Sequence, residues 1–161
     1  MPHPKNIQTV PETQGQHVSI AGNEYRIVIS GTETDGKFAV IDMQVPPGGG
    51  PNPHAHENAN ETFLVIEGEV EFRNESGKFT AKKGAFVNIP LGGAIHSFKN
   101  VSTENARLIC TVMPSGLEAF FIEADALLRS QPAPPDPNTV EKLNALFKKY
   151  GQTVFPPDYL D

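Results

Sequence analysis

Short apolar runs, broken at close intervals by turn-forming residues, constrain the fold of this chain more than any other feature. Each run is only long enough for a β-strand, and glycine, asparagine or proline interrupts the sequence before the next one. The 161 residues include 14 glycines and 15 prolines, which favour turns over long helices. Such a pattern is typical of an all-β sandwich or barrel, and no long repeat period suggests a propeller or solenoid.

The predicted strands occupy the first two thirds of the chain. Residues 17–20 and 25–29 flank a Gly22-Asn23 turn and predict a hairpin. Further strands are predicted over residues 38–45, 62–66, 70–72, near 79, 85–89, 95–98 and 106–113. The segment 46–53 contains four prolines and three glycines, so it is predicted as a loop that leads to His54.

The last third of the chain has the pattern of two helices. Ser115 to Glu118 and Asn138 to Glu141 each have the spacing of a capping box, which predicts helices over residues 116–128 and 139–150. Gly151 is the expected residue after the second helix. We therefore predict an N-terminal arm (1–15), a β-barrel (16–114) and a helical extension (115–161) that packs on the barrel.

Composition excludes several classes of partner and location. The net charge is −6 with a pI of about 5.3, and no basic run indicates binding to nucleic acid or an anionic membrane. No apolar stretch is long enough to span a bilayer, and the N-terminus lacks the apolar region of a secretory signal. Cys110 is the one cysteine, which excludes an intramolecular disulfide. These features predict a cytoplasmic protein in which Cys110 is a buried apolar side chain.

A cluster of metal-ligand residues is the strongest chemical signal. His54 and His56 are separated by one residue, so an extended backbone would direct both imidazoles to the same face. Two carboxylates follow them. Glu57 would point to the opposite face, whereas Glu61 lies beyond a short polar turn that can return its side chain to the histidine side. His96 adds a third imidazole from a distant strand.

Two stretches around these residues resemble the two sequence motifs of the cupin superfamily. The first is Gly50-(3)-His54-Ala-His56-(4)-Glu61-(6)-Gly68, and the second is Gly84-(5)-Pro90-Leu-Gly92-(3)-His96-(3)-Asn100. Gly50 is closer to the histidine pair than in the usual motif, and one extra residue separates Gly92 from His96. Neither departure changes a ligand position. The resemblance implies a jelly-roll barrel, that is, a double-stranded β-helix, holding one divalent metal through His54, His56, Glu61 and His96.

The implied ligand set also suggests a class of reaction. Three imidazoles and one carboxylate suit Fe, Mn, Ni, Cu or Zn and leave coordination positions open for a substrate. The chain is similar to quercetin-dioxygenase-like cupins, which implies a dioxygenase for a small chelating substrate such as an enol, flavonol or catechol. Glu61 would be the catalytic base, and Phe63, Val65 and Phe98 are expected to line an apolar pocket. The alternatives are a metal-dependent isomerase or hydrolase, and a non-catalytic small-molecule-binding cupin.

The predicted strand over residues 62–66 is apolar on both faces. Phe63 and Val65 alternate with Leu64 and Ile66, so one face can enter the barrel while the other needs a cover. The C-terminal helices or a second subunit could supply that cover. Together with the N-terminal arm, this surface predicts a homodimer.

Overall fold

Strands dominate the computed structural model, which describes residues 6–161. The described chain contains eleven strands and two helices: β1 (Gln16–Ile20), β2 (Asn23–Ile29), β3 (Ala39–Val45), β4 (His54–His56), β5 (Asn60–Glu67), β6 (Glu69–Asn74), β7 (Gly77–Lys82), β8 (Phe86–Ile89), β9 (His96–Lys99), β10 (Ala106–Met113), α1 (Leu117–Leu128), α2 (Pro137–Lys149) and β11 (Gln152–Val154). The predicted all-β fold with two C-terminal helices is confirmed. Residues 1–5 of the predicted arm, including His3, lie outside the described residues.

The strands form two antiparallel sheets that enclose the core. One sheet has the order β1-β2-β3-β10-β5-β8, and the other has the order β11-β4-β9-β6-β7. The strands β3, β4 and β5 alternate between the two sheets, so the chain passes repeatedly from one layer to the other, as in a jelly roll. Side chains alternate along each strand, so Leu108, Cys110 and Val112 of β10 all point inward.

Aromatic rings fill the space between the sheets. The rings of Phe63, Phe72 and Phe98 contact one another with centroid distances of 5.3 to 5.4 Å. Phe63, Val65 and Phe98 expose only 1 to 3% of their surface. These three side chains pack into the core between the sheets, and none of them lines the cavity that adjoins His56, so the expectation that they form a substrate pocket is not supported there.

Both helices begin at different residues from those predicted. At α1, Gly116 precedes the first helical residue and no side chain caps the helix, while Glu118 accepts hydrogen bonds from the backbone N–H groups of Gly116 and Gly31. At α2, the carboxylate of Asp136 accepts from the N–H of Thr139 at 2.7 Å. Proline at the first helical position, directly after Asp136, fixes this earlier start. No helix within residues 6–161 is long and apolar enough to cross a bilayer.

The helices form a small layer beside the barrel. The ring of Phe121 on α1 meets Tyr25 of β2 at a centroid distance of 5.1 Å, and Phe120 contacts Phe147 of α2 at 4.8 Å. Leu64 of β5 and Phe86 of β8 are cross-strand partners on the outer face, where they remain 39% and 64% exposed. Neither helix therefore covers the outer apolar face of β5.

A short strand after α2 was not predicted from the sequence. Gly151 adopts a φ of +69° and ends the helix, as expected, after which β11 pairs antiparallel with β4. In this register Gln152 is opposite His56 and Val154 is opposite His54. The C-terminal segment thus covers one edge of the strand that carries the two histidines.

Candidate metal centre

The four residues predicted as metal ligands lie together inside the barrel. One potential ligand atom from each of His54, His56, Glu61 and His96 lies within 4.8 Å of the others. His54 and His56 are on β4, Glu61 is near the start of β5, and His96 is the first residue of β9, where it is the register partner of His54. Glu57 is exposed, as its position in the alternation predicts.

The glycine-rich loop before β4 is fixed to the sheet by Asn100. The N–H of Gly48 donates to the carbonyl of Asn100 at 2.7 Å, and the N–H of Asn100 donates to the carbonyl of Gly49 at 2.9 Å. Gly50 passes so close to Phe98 that a Cβ atom there would lie 1.9 Å from the Phe98 carbonyl oxygen. This close approach requires glycine and holds the loop that delivers His54 to the barrel interior.

Backbone carbonyls orient all three imidazoles. Each Nδ1 atom contacts one carbonyl oxygen: His54 that of Asn52 at 2.8 Å, His96 that of Ala94 at 2.8 Å, and His56 that of Ala59 at 3.3 Å. Because a carbonyl oxygen only accepts hydrogen bonds, each Nδ1 must carry the proton. The Nε2 atoms are then the ones left to face the centre of the cluster.

The contacts of Glu61 show what this arrangement requires. Its Oε2 atom lies 2.7 Å from Nε2 of His56 and 3.3 Å from Nε2 of His96. If both rings are neutral with the proton on Nδ1, each Nε2 presents a lone pair to a carboxylate, which is repulsive. A positive charge, either a proton or a metal ion, must lie between these groups. The donor set of three imidazoles and one carboxylate fits a divalent transition metal.

Burial and mutual charge shift the protonation equilibria of the cluster. Burial lowers the pKa of His54 to about 4, so this imidazole is neutral at neutral pH. Burial alone would raise the pKa of Glu61, but the hydrogen bonds with His56 and His96 hold it well below its ordinary value. Burial opposes protonation of His56 as well, yet the hydrogen bond and charge of Glu61 raise its pKa. Glu61 is therefore an anion that the hydrogen bonds with His56 and His96 stabilise.

Cys110 is a neighbour of the cluster that sequence reasoning missed. Its thiol is fully buried, as predicted, but it also donates to Oε1 of Glu61 at 3.2 Å. Burial raises the pKa of the thiol, and the charge of Glu61 raises it further, so the sulfur keeps its proton. The contact depends on the pairing of β10 with β5, and no local sequence pattern reveals that pairing.

A cavity adjoins the cluster at His56. Its volume is about 170 Å³, and its walls come from three parts of the chain. The lining residues are His56, Asn58, Ala59, Val112, the segment 114–117 and the segment 150–152. A larger cavity of about 440 Å³ lies between residues 8–16 and α1, but none of the four clustered residues lines it. Of these two cavities, only the smaller one touches the cluster.

Known proteins share this barrel. The Cupin domain family matches residues 41–112, a range that contains all four clustered residues. Quercetin 2,3-dioxygenase of Bacillus subtilis is 26% identical over 108 residues, which cover 67% of this chain and 32% of the relative. A germin-like protein of Arabidopsis thaliana, subfamily 2 member 4, is 32% identical over 113 residues, covering 67% of this chain and 50% of the relative.

Both relatives are thus much longer than the matched region, since the chain spans about a third of one and half of the other. Among solved structures, KdgF from Halomonas sp. superposes with a TM-score of 0.61 at 16% identity, over 70% of this chain and 99% of that protein. This likeness shows a shared fold. The family match over residues 41–112, together with the jelly-roll barrel, shows that the chain contains a cupin domain.

Proposed function

We propose that this protein is a metal-dependent dioxygenase that acts on a small chelating substrate with an acidic hydroxyl, such as an enol or a catechol. One divalent ion would be held by Nε2 of His54, His56 and His96 and by a carboxylate oxygen of Glu61. The observation that carries the proposal is the convergence of these four donors on a point that needs a positive charge. The ion would supply electrophilic activation and, if it is redox-active, electron transfer between substrate and dioxygen.

The chain's own part in this chemistry begins with rigid positioning. Carbonyl contacts at Nδ1 fix the orientation of all three rings before any ligand binds. The residues Glu61 and His96 are only 2% exposed, and His56 is 6% exposed, so bulk water is excluded from most of the cluster. Three imidazoles and one carboxylate would leave coordination positions of the ion open for a substrate, which a catalytic site requires.

Glu61 is the proposed base. It is ionised and buried beside the position where a substrate hydroxyl would be held. Its lowered pKa makes it a weak proton acceptor, so it suits an acidic enol or phenolic hydroxyl better than an alkyl alcohol. The Cys110 thiol occupies Oε1, which leaves Oε2 as the oxygen that faces the histidines.

Similarity to quercetin 2,3-dioxygenase supports oxygen chemistry over other reactions of this fold. Oxygen uptake tests the proposal directly. Protein loaded in turn with Fe(II), Mn(II), Ni(II), Cu(II) or Zn(II) is supplied with catechols, flavonols and dicarbonyl acids, and with ¹⁸O₂ both labelled atoms should enter the product. The proposal fails if no metal form consumes oxygen with any of these substrates. Turnover of a sugar or keto acid without oxygen would instead support an isomerase or hydrolase.

We also propose that the chain forms a homodimer through the outer face of β5 and β8. Leu64 and Phe86 face each other across these strands and are exposed, and Ile109 of β10 is the neighbour of Leu64 on the other side. Apolar side chains that adjoin one another on three strands favour a partner surface over contact with water.

A further inference from the structure

The cavity beside His56 contains a buried hydrogen-bond donor that has no acceptor. Gln152 lines this cavity, and its amide nitrogen Nε2 is shielded from solvent without a partner among the described residues. Buried polar groups are nearly always paired, because an unpaired donor loses its bonds to water and gains none in return. Because this nitrogen is closed to a water-sized molecule in the cavity as well, the Gln152 side chain must turn toward the cavity before a ligand can supply the missing acceptor.

Strand pairing places Gln152 on the same side of the sheet as His56. The two residues are direct register partners in the antiparallel pair of β11 and β4. Side chains of directly opposed residues in such a pair project from the same face, with Cβ atoms about 4.5–5.5 Å apart. Gln152 is therefore beside a candidate metal ligand, and the backbone ladder of β11 fixes its position.

The size of the cavity limits what can occupy it. Its volume is about 170 Å³. An apolar cavity of about 150 Å³ in another protein holds one benzene molecule. A single aromatic ring, or an aliphatic group of similar volume, therefore fills this cavity, whereas the three rings of a flavonol exceed it.

The lining selects the chemistry of the occupant. Val112, Pro114, Leu117 and Ala59 supply apolar surface, and the lining contains neither an acidic side chain nor lysine or arginine. A charged group would be desolvated here without a counter-ion other than His56, which makes an uncharged ring the favoured occupant. Asn58, Ser115 and Tyr150 also line the cavity, but the Gln152 amide is the buried lining donor without a partner among the described residues, and it requires an oxygen acceptor on the ligand.

We propose that this cavity is the substrate subsite, that it accepts an uncharged group of single-ring size, and that the Gln152 amide donates to an oxygen of that group. The inference deepens the proposed function, because it narrows the substrate class from enols, flavonols and catechols to single-ring compounds. Binding in the cavity does not itself require a metal, so it can be tested apart from the reaction.

Phenol is the probe, because it has one oxygen and cannot chelate a metal. Protein freed of metal with a chelator is labelled with ¹⁵N, and phenol is titrated while the side-chain amide signals are recorded by NMR. The Gln152 amide signal should shift with saturation, and Gln152→Met should weaken phenol binding about tenfold, since it keeps the side-chain volume but removes the donor. Thr153→Val is the matched control, because Thr153 is the exposed neighbour on the same strand and does not line the cavity.

Three results would overturn the subsite. An unshifted Gln152 amide at saturating phenol would do so even if the variants failed to fold. Equal phenol affinity in wild type and folded Gln152→Met would show that the Gln152 amide does not donate to the ligand. A flavonol that matches catechol in affinity for the Zn(II)-loaded protein would refute the size limit. Failure of the proposed reaction looks different, because oxygen uptake would be absent while Gln152-dependent phenol binding persisted.

Discussion

The contact between Cys110 and Glu61 gives a sharp prediction about stability. Cys110→Ala removes the thiol that donates to Oε1 of Glu61, a residue that is only 2% exposed. Leaving a buried acceptor unsatisfied costs about 1–3 kcal/mol, and the lost sulfur leaves a small void that costs roughly 1 kcal/mol more. We expect the free energy of unfolding of the metal-free protein to fall by about 2–4 kcal/mol.

Cys110→Ser separates the donor from the filler role of this side chain. The smaller hydroxyl can still donate to Glu61, so serine should restore part of the stability that alanine loses. Urea unfolding followed by circular dichroism measures both variants, and a cycle with Glu61→Met, which removes both carboxylate oxygens, isolates the coupling energy of the pair. A coupling energy near zero between Cys110→Ala and Glu61→Met would show that the thiol does not stabilise Glu61 and is an apolar filler only.

Three further predictions concern charge, catalysis and assembly. Arg107 and Arg26 pair with buried Asp42, and the Arg107 hydrogen bond is the main cause that lowers its pKa, so Asp42→Asn should lose about 1–3 kcal/mol at pH 7. The pKa of Asp42 is lower in the folded than in the unfolded protein. The stability difference between wild type and Asp42→Asn is therefore fully present at pH values above the unfolded pKa. It should disappear as the pH falls below the folded pKa, which unfolding measurements at a series of acidic pH values can check. Glu61→Gln should reduce kcat by about 100-fold or more while substrate Kd changes little, and equal losses in both would contradict the base role. Light scattering should give about twice the chain mass of 17.5 kDa, falling to one chain mass in Phe86→Glu.

The clustering of the four candidate ligand residues could be predicted because its signal is local. Alternation along an extended segment puts His54 and His56 on one side and Glu57 on the other, and the motif around Glu61 and His96 places the remaining donors. The strand pattern of the barrel is likewise local, since each strand carries its own alternation and each turn its own glycine or asparagine. These parts of the fold were therefore accessible from the sequence.

The parts that depend on distant pairing were not accessible. The segment Gln152–Val154 is too short to have a strand pattern, and it is extended because the edge of β4 offers it hydrogen-bond partners. The Cys110 contact likewise needs the pairing of β10 with β5. The cavity at His56 involves none of Phe63, Val65 and Phe98, because alternation gives the inward direction of a side chain but not the depth at which the core closes around it.

Metal content shows directly whether the cluster of His54, His56, Glu61 and His96 holds an ion. Wild type, His96→Ala and the control His17→Ala are purified with a chelator, reloaded with Zn(II), freed of excess metal and measured by mass spectrometry against protein concentration. His17 is an exposed residue of β1 outside the cluster. We expect one ion per chain in wild type and His17→Ala, and loss of most of the ion from a folded His96→Ala. A full metal complement in His96→Ala, or none in wild type, would contradict this expectation.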